Sequence, residues 1–139
     1  PLQMAVAYGA IATGYRMKPY VVSEIKSKNG QTIYRAEPQK IATLPFSQPT
    51  MELLRDALGE VVSRGTGIAA RVEGMPAAGK TGTAQNPGLP HAWFVCYAPK
   101  DNPEVVISVL VVHGQHGDRV SAYIAREILE FYFDNKNKI

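Results

Sequence analysis

The sequence predicts an α/β (α+β) fold in which an antiparallel sheet is sandwiched by helices. Three observations lead there. Residues 105–112, Val-Val-Ile-Ser-Val-Leu-Val-Val, have no polar face, so a strand built from them must be covered on both sides. Residues 77–85 and 92–98 are two further strand-like runs, and the short Gly- and Pro-bearing links between the three make them successive antiparallel neighbours. Helical apolar patterns lie on either side of this block and supply the cover.

Taken in order, Pro1, an apolar set at roughly helical spacing (Leu2, Met4, Ala5, Tyr8, Ile11) and the stop at Gly14 predict a helix over residues 1–14. Asn29-Gly30 between two strand-like arms, 19–26 and 31–35, predicts a hairpin over 19–36. Ser47 caps a helix over 47–63, with Pro49 in its first turn and Met51, Leu54, Leu58, Val61 and Val62 in one stripe. Ser63-Arg64-Gly65-Thr66-Gly67 ends it. The three-stranded sheet follows over 77–112, with Lys80 on its edge strand. A last helix over 118–134 is expected to turn Val120, Tyr123, Ile124, Ile128, Leu129 and Phe131 toward the sheet, with the tail 135–139 fraying.

With 139 residues and 45% hydrophobic content the chain can bury a core but amounts to one domain or less. Its net charge of +3 comes from scattered cations, which does not fit a nucleic-acid groove. No apolar run approaches the roughly 20 residues of a membrane span, and nothing reads as a signal peptide. The single cysteine, Cys96, sits in an apolar run and reads as a small buried hydrophobe, so no disulfide framework is implied.

The chemistry concentrates in Ala78-Gly79-Lys80-Thr81-Gly82-Thr83-Ala84-Gln85. Small residues let the backbone lie against a ligand while one cation and two hydroxyls point at it, a combination suited to gripping a carboxylate. Residues 74–81 also satisfy the P-loop pattern G-x-x-x-x-G-K-[ST] letter for letter. A working P-loop needs a buried strand before it and a helix starting at the Lys-Thr. The polar stretch 70–73 upstream and Gly82, Pro87, Gly88 and Pro90 downstream offer neither, which leaves nucleotide binding a remote alternative.

Lys-Thr-Gly is also one of three motifs, with S-x-x-K and S-x-N, of the serine acyl-transferases that react with penicillin. Beyond it, Gly65-Thr66-Gly67, His91-Ala92-Trp93-Phe94-Val95, Tyr97-Ala98-Pro99, Asp101-Asn102-Pro103-Glu104 and Gly114-Gln115-His116-Gly117 stand in the order and spacing of class B penicillin-binding proteins. The chain resembles that family over nearly its whole length, and His91-Ala92-Trp93-Phe94 and the Gly-x-His-Gly run look most like its elongation-type enzymes, the penicillin-binding protein 2 group. The resemblance implies the serine β-lactamase-like transpeptidase fold, incomplete in this chain, and residues 1–139 as the C-terminal portion of one transpeptidase domain. It implies a peptidoglycan D,D-transpeptidase that cross-links stem peptides through a serine acyl-enzyme and binds β-lactams. Lys80, Thr81, Gly82 and Thr83 would then bind substrate, with Lys80 and the backbone N–H of Thr83 taking catalytic roles, the latter in the oxyanion hole. The implied partners are stem peptides, β-lactams, the upstream remainder of the same protein and cell-elongation proteins, without nucleic acid. The implied location is the extracytoplasmic face of the membrane, periplasmic in a Gram-negative, with the anchor outside this chain. No cofactor is implied.

By the same resemblance the nucleophilic serine lies upstream, so this chain alone is expected to be inactive. Ser23-Glu24-Ile25-Lys26 and Ser27-Lys28-Asn29 match S-x-x-K and S-x-N in letters, but on a hairpin arm residues three apart face opposite ways, and both read as decoys. His113 and His116 lack a third ligand at metal spacing, so no metal is expected. Gly65-Thr66-Gly67 follows a helix and reads as a structural turn, not a dinucleotide fingerprint. Trp93 reads as core or pocket wall and Tyr97 as the aromatic residue left exposed. A noncatalytic β-lactam-sensing or scaffold domain of the same fold is the alternative function.

Overall fold

The computed structural model describes residues 1–136; of the tail 135–139 expected to fray, Asn135 is still helical and 137–139 lie outside the described residues. Helix α1 spans Leu2–Thr13 and stops at Gly14, whose φ of +83° and N–H bond to Ala10 O (2.7 Å) form a left-handed cap. Its buried face is made of small residues: Ala10 and Ala12 are covered, whereas Leu2 and Met4 stand exposed.

An excursion follows. Strands β1 (Tyr15–Met17) and β4 (Lys40–Thr43) pair antiparallel, and between them β2 (Glu24–Lys26) and β3 (Thr32–Arg35) form the expected hairpin, with Gly30 at φ +83°. The hairpin arms are shorter than their sequence suggests, since residues 19–23 are not strand. The β1–β4 pair has no local signature: each strand is a few largely exposed residues, and its partner is far along the chain. Glu24 gathers Arg35 (2.7 Å), Lys26 (2.9 Å) and Thr32 (3.0 Å), and these partners, Arg35 foremost, hold its carboxyl below the usual range.

Helix α2 spans Gln48–Ser63. Ser47 caps it, its Oγ accepting the Thr50 N–H at 3.4 Å, and Pro49 sits in the first turn, where a missing N–H costs nothing. A 3-10 turn at Ile68–Ala70 leads toward strand β5 (Ala78–Ala84), and β6 (His91–Ala98) and β7 (Val105–Val111) complete a sheet of order β5-β6-β7. Register is unbroken from Ala78↔Tyr97 to Ala84↔His91 and from Ala92↔Val111 to Ala98↔Val105.

Both faces of this sheet are covered. On one, Phe94, Cys96, Ala98 and Ile107 pack with Ala122, Ala125 and Leu129 of helix α3 (Ala122–Asn135), Ala70, and Val62 of α2. On the other, Ala78 and Tyr97 pack with Ala12 and Leu58, flanked by Tyr8, Ile11 and Val106. Large side chains such as Phe94 and Leu129, fully buried, each contribute about 1.5–3 kcal/mol of burial free energy.

Two expectations fail here. Of the set named for the last helix only Leu129 is buried: Tyr123, Ile124, Ile128 and Phe131 of α3 face outward, as does Val120 in the π-helical turn Gly117–Ser121 before it. The helix approaches the sheet through Ala122 and Ala125, because small side chains permit the close contact that the larger ones would prevent. Tyr97, expected to be exposed, is fully buried, since the strand alternation that sends Phe94, Cys96 and Ala98 to one core sends it into the other. Burial pushes its phenol up to about 12, and among the described residues the hydroxyl has no hydrogen-bond partner.

Candidate active site

Strand β5 carries Lys80, Thr81, Gly82 and Thr83 opposite Val95, Phe94, Trp93 and Ala92 of β6. It is terminal in the sheet, so among the described residues no strand lies along its other edge. Such an edge offers outward N–H and C=O groups to an extended chain. Lys80 is exposed; its Nζ donates to Thr81 O at 3.0 Å, and no carboxylate pairs with it among the described residues. Strand alternation puts Thr81 and Thr83 on one side, about 7 Å apart along the strand, with Lys80 and Gly82 on the other.

Glycines set how closely the neighbours approach. A Cβ on Gly79 would lie 2.6 Å from Val95 O and 2.7 Å from Cys96 Cβ, so no side chain fits there. A Cβ on Gly117 would overlap Trp93 O and Gly82 O, which shows that the π-helical turn Gly117–Ser121 is seated directly on the strand pair beneath the Lys-Thr-Gly run. Ser121 Oγ donates to Gly117 O at 2.9 Å and holds that turn closed. A Cβ on Gly82 would meet Trp93 Cβ at 3.3 Å and no other heavy atom within 4 Å.

The loop from β5 to β6 is tied down. Asn86 Nδ2 donates to Leu89 O (2.7 Å), its Oδ1 accepts the Gly88 N–H (2.6 Å), and the Gln115 N–H bonds Pro90 O (2.9 Å). The His113 N–H donates to His91 Nδ1 at 3.1 Å, and the two imidazoles meet edge to face with centroids 5.1 Å apart. His113 therefore has a structural place, and no group of three His, Cys, Asp or Glu side chains that could hold a metal occurs among the described residues.

Thr66 was not singled out by sequence as a site residue, yet its Oγ1 lies 2.8 Å from Thr81 Oγ1. The remaining motifs resolve clearly. Lys26 pairs with Glu24, and Ser27 bonds Asn29 and Gln31 within its own turn, so neither serine is brought to a base. Lys80 and Thr81 lie inside a strand and no helix begins at them, so the phosphate-loop geometry is not formed. Gly65-Thr66-Gly67 is a turn closing α2. Trp93 is half-buried, and Cys96 is fully buried with its thiol pushed up to about 12, which keeps it protonated and unreactive. A groove of about 460 Å³ between α2 and residues 71–77 includes none of residues 80–83 in its walls.

The family model described as "Penicillin binding protein transpeptidase domain" matches residues 1–130. The chain belongs to this family. The transpeptidase segment is 37% identical over 131 residues to the peptidoglycan D,D-transpeptidase PbpA of Mycolicibacterium smegmatis, covering 88% of this chain and 25% of that protein. It is 32% identical to penicillin-binding protein 2A of Bacillus subtilis, covering 99% of this chain and 22% of that one. Among solved structures it matches the D,D-transpeptidase domain of a peptidoglycan glycosyltransferase from Eggerthella lenta, with a TM-score of 0.86 and 34% identity over 99% of this chain and 33% of that one. It also matches penicillin-binding protein A of Mycobacterium tuberculosis as its imipenem acyl-enzyme, with a TM-score of 0.81 and 28% identity over 96% of this chain and 30% of that one. The expected fold and the grouping with class B, elongation-type enzymes are borne out. The segment spans about a quarter of the length of these curated relatives.

Proposed function

We propose that this transpeptidase segment supplies the substrate-gripping edge strand of a peptidoglycan D,D-transpeptidase, as the C-terminal portion of its catalytic domain. The observation that carries the reading is Lys80-Thr81-Gly82-Thr83 on an unpaired sheet edge, with the Lys80 ammonium exposed and unpaired with any carboxylate among the described residues. Lys80 attracts the carboxylate of a stem peptide or β-lactam and lowers the proton affinity of the serine of an S-x-N motif placed elsewhere in the protein. The hydroxyls of Thr81 and Thr83 hold the carboxylate. Gly82 leaves the edge bare, so the stem peptide adds alongside as a further strand. The Thr83 N–H and that of the acylated serine, in the remainder of the protein, stabilise the tetrahedral oxyanion.

In this reading the protein works on the extracytoplasmic face of the membrane, anchored through another segment, together with cell-elongation proteins. Among the described residues no helix is long and apolar enough to cross a membrane. The test is acylation of the full-length protein by a fluorescent penicillin. Lys80→Ala should slow acylation by about two to three orders of magnitude, the scale of losing one preorganised charge at a reacting centre, with the unfolding curve unchanged. Parental kinetics in Lys80→Ala would remove this run from the active site, and a parent that never labels would favour a noncatalytic scaffold of the same fold.

A further inference from the structure

Thr66 sits in a turn whose shape is fixed by its neighbours. A Cβ on Gly65 would lie 2.9 Å from Val61 Cα and 3.0 Å from Val61 O, and one on Gly67 would lie 3.1 Å from Val61 O and from the Phe94 ring. The Gly67 N–H bonds Val61 O at 2.8 Å. The two glycines thus let the turn press against the end of α2 and the buried Phe94, and the residue between them is carried on a rigid support. That support delivers the Thr66 hydroxyl to 2.8 Å from Thr81 Oγ1, a good O–H···O distance.

A hydroxyl has one proton and two acceptor positions, so the direction of this bond decides what Thr81 presents to a ligand. If Thr81 donates to Thr66, it turns a lone pair toward the edge of the strand and repels an anion. If Thr66 donates to Thr81, the Thr81 proton is free to point at an anion, and the chain Thr66–Thr81–anion polarises each bond along it. Resting on the reading above, in which Thr81 holds the substrate carboxylate, we infer that Thr66 is a positioning residue that donates to Thr81 and aims the Thr81 proton at that carboxylate. It acts without touching substrate. The turn after α2 is thereby part of the specificity for anionic acyl donors and not only a helix stop.

The test compares acylation of the full-length protein by benzylpenicillin, which carries the carboxylate, and by its methyl ester, which does not. Thr66→Val keeps the shape of the side chain and removes the donor. It should lower the acylation constant for the acid by about three- to tenfold, the scale of one net hydrogen bond, and leave that for the ester unchanged. Thr66→Ser keeps the hydroxyl and should retain the parental preference for the acid. Equal losses for acid and ester would assign Thr66 a purely structural role, and parental kinetics in Thr66→Val or failure of Thr66→Ser to retain the preference would also overturn the inference. Lys80→Ala, run alongside, separates the two levels. If it abolishes the preference while Thr66→Val does not, the inference alone fails; if it leaves the preference intact, the reading of the whole strand fails.

Discussion

Gly117→Ala is the substitution that best probes how the Lys-Thr-Gly strand is held. The added methyl would overlap Trp93 O and Gly82 O and come within 3.2 Å of Gly82 N. All three atoms are backbone, so no side-chain rotation relieves the overlap. Strands β5 and β6 cannot part easily, because they are joined through seven consecutive residue pairs. The π-helical turn must then lift, and with it the start of α3, whose Ala122 and Ala125 lie in the core. Overpacking of this kind typically costs 1–3 kcal/mol, and with only backbone to yield the expected loss is about 3 kcal/mol, or roughly a hundredfold in the folded-to-unfolded ratio. Urea unfolding of the full-length protein reads the loss, and fluorescent penicillin labelling reads the distortion of Gly82. Gly88→Ala is the control: its methyl meets the side chains of Asn86 (3.3 Å) and His113 (3.5 Å), and it should cost about 0.5 kcal/mol or less. An unfolding curve and labelling rate equal to the parent in Gly117→Ala would refute the claim that the turn is seated on the strand.

Two further outcomes follow from the same strands. Gly82→Val, whose Cβ would meet only the Trp93 side chain, at 3.3 Å, should preserve folding once Trp93 shifts by a few tenths of an ångström, since β-branched residues suit a strand, while abolishing penicillin labelling; retained labelling would place the ligand elsewhere. Tyr97→Phe removes a buried hydroxyl without a partner and should raise unfolding free energy by about 0.5–1 kcal/mol in the same urea assay. The folded-state phenol of Tyr97 is pushed up from 10.0 to about 12, so between those values the unfolded chain has released the proton while the folded one retains it. Stability therefore falls as pH rises through that window, and Tyr97→Phe should fall less steeply; identical slopes would show that Tyr97 is not shielded as described.

The readable parts of the sequence were those whose signal is local. Ser47 followed by Pro49, Asn29-Gly30, and the unbroken apolar run of β7 each declare an element within a few residues. Burial in α3 was not readable, because the contact is made by alanines and a hydrophobicity count favours the larger Tyr123, Ile128 and Phe131. The burial of Tyr97 depends on the second core, which α1 and α2 build on the far face of the sheet from residues distant in sequence. The place of Lys80 on the sheet's edge strand was legible from the strand-like runs around it, but the Thr66 contact was not: Gly65-Thr66-Gly67 looks like a helix stop, and only the fold brings its hydroxyl to Thr81. The phosphate-loop match shows the converse. The same letters satisfy two motifs, and the strand at Lys80 decides between them.

The excursion between α1 and α2 bears on how much length variation this fold can absorb. Its two ends are clasped, with the Leu44 N–H on Gly14 O at 3.0 Å and the Lys18 N–H on Gln39 O at 2.8 Å, and none of residues 15–43 belongs to either core. A segment that leaves and returns at one point draws nothing from the sandwich, so its length can change for little more than a slowly growing loop-closure entropy. Residues 19–38 are accordingly the place to splice in a foreign hairpin, an epitope or a reporter loop while the strand carrying Lys80 stays where it is.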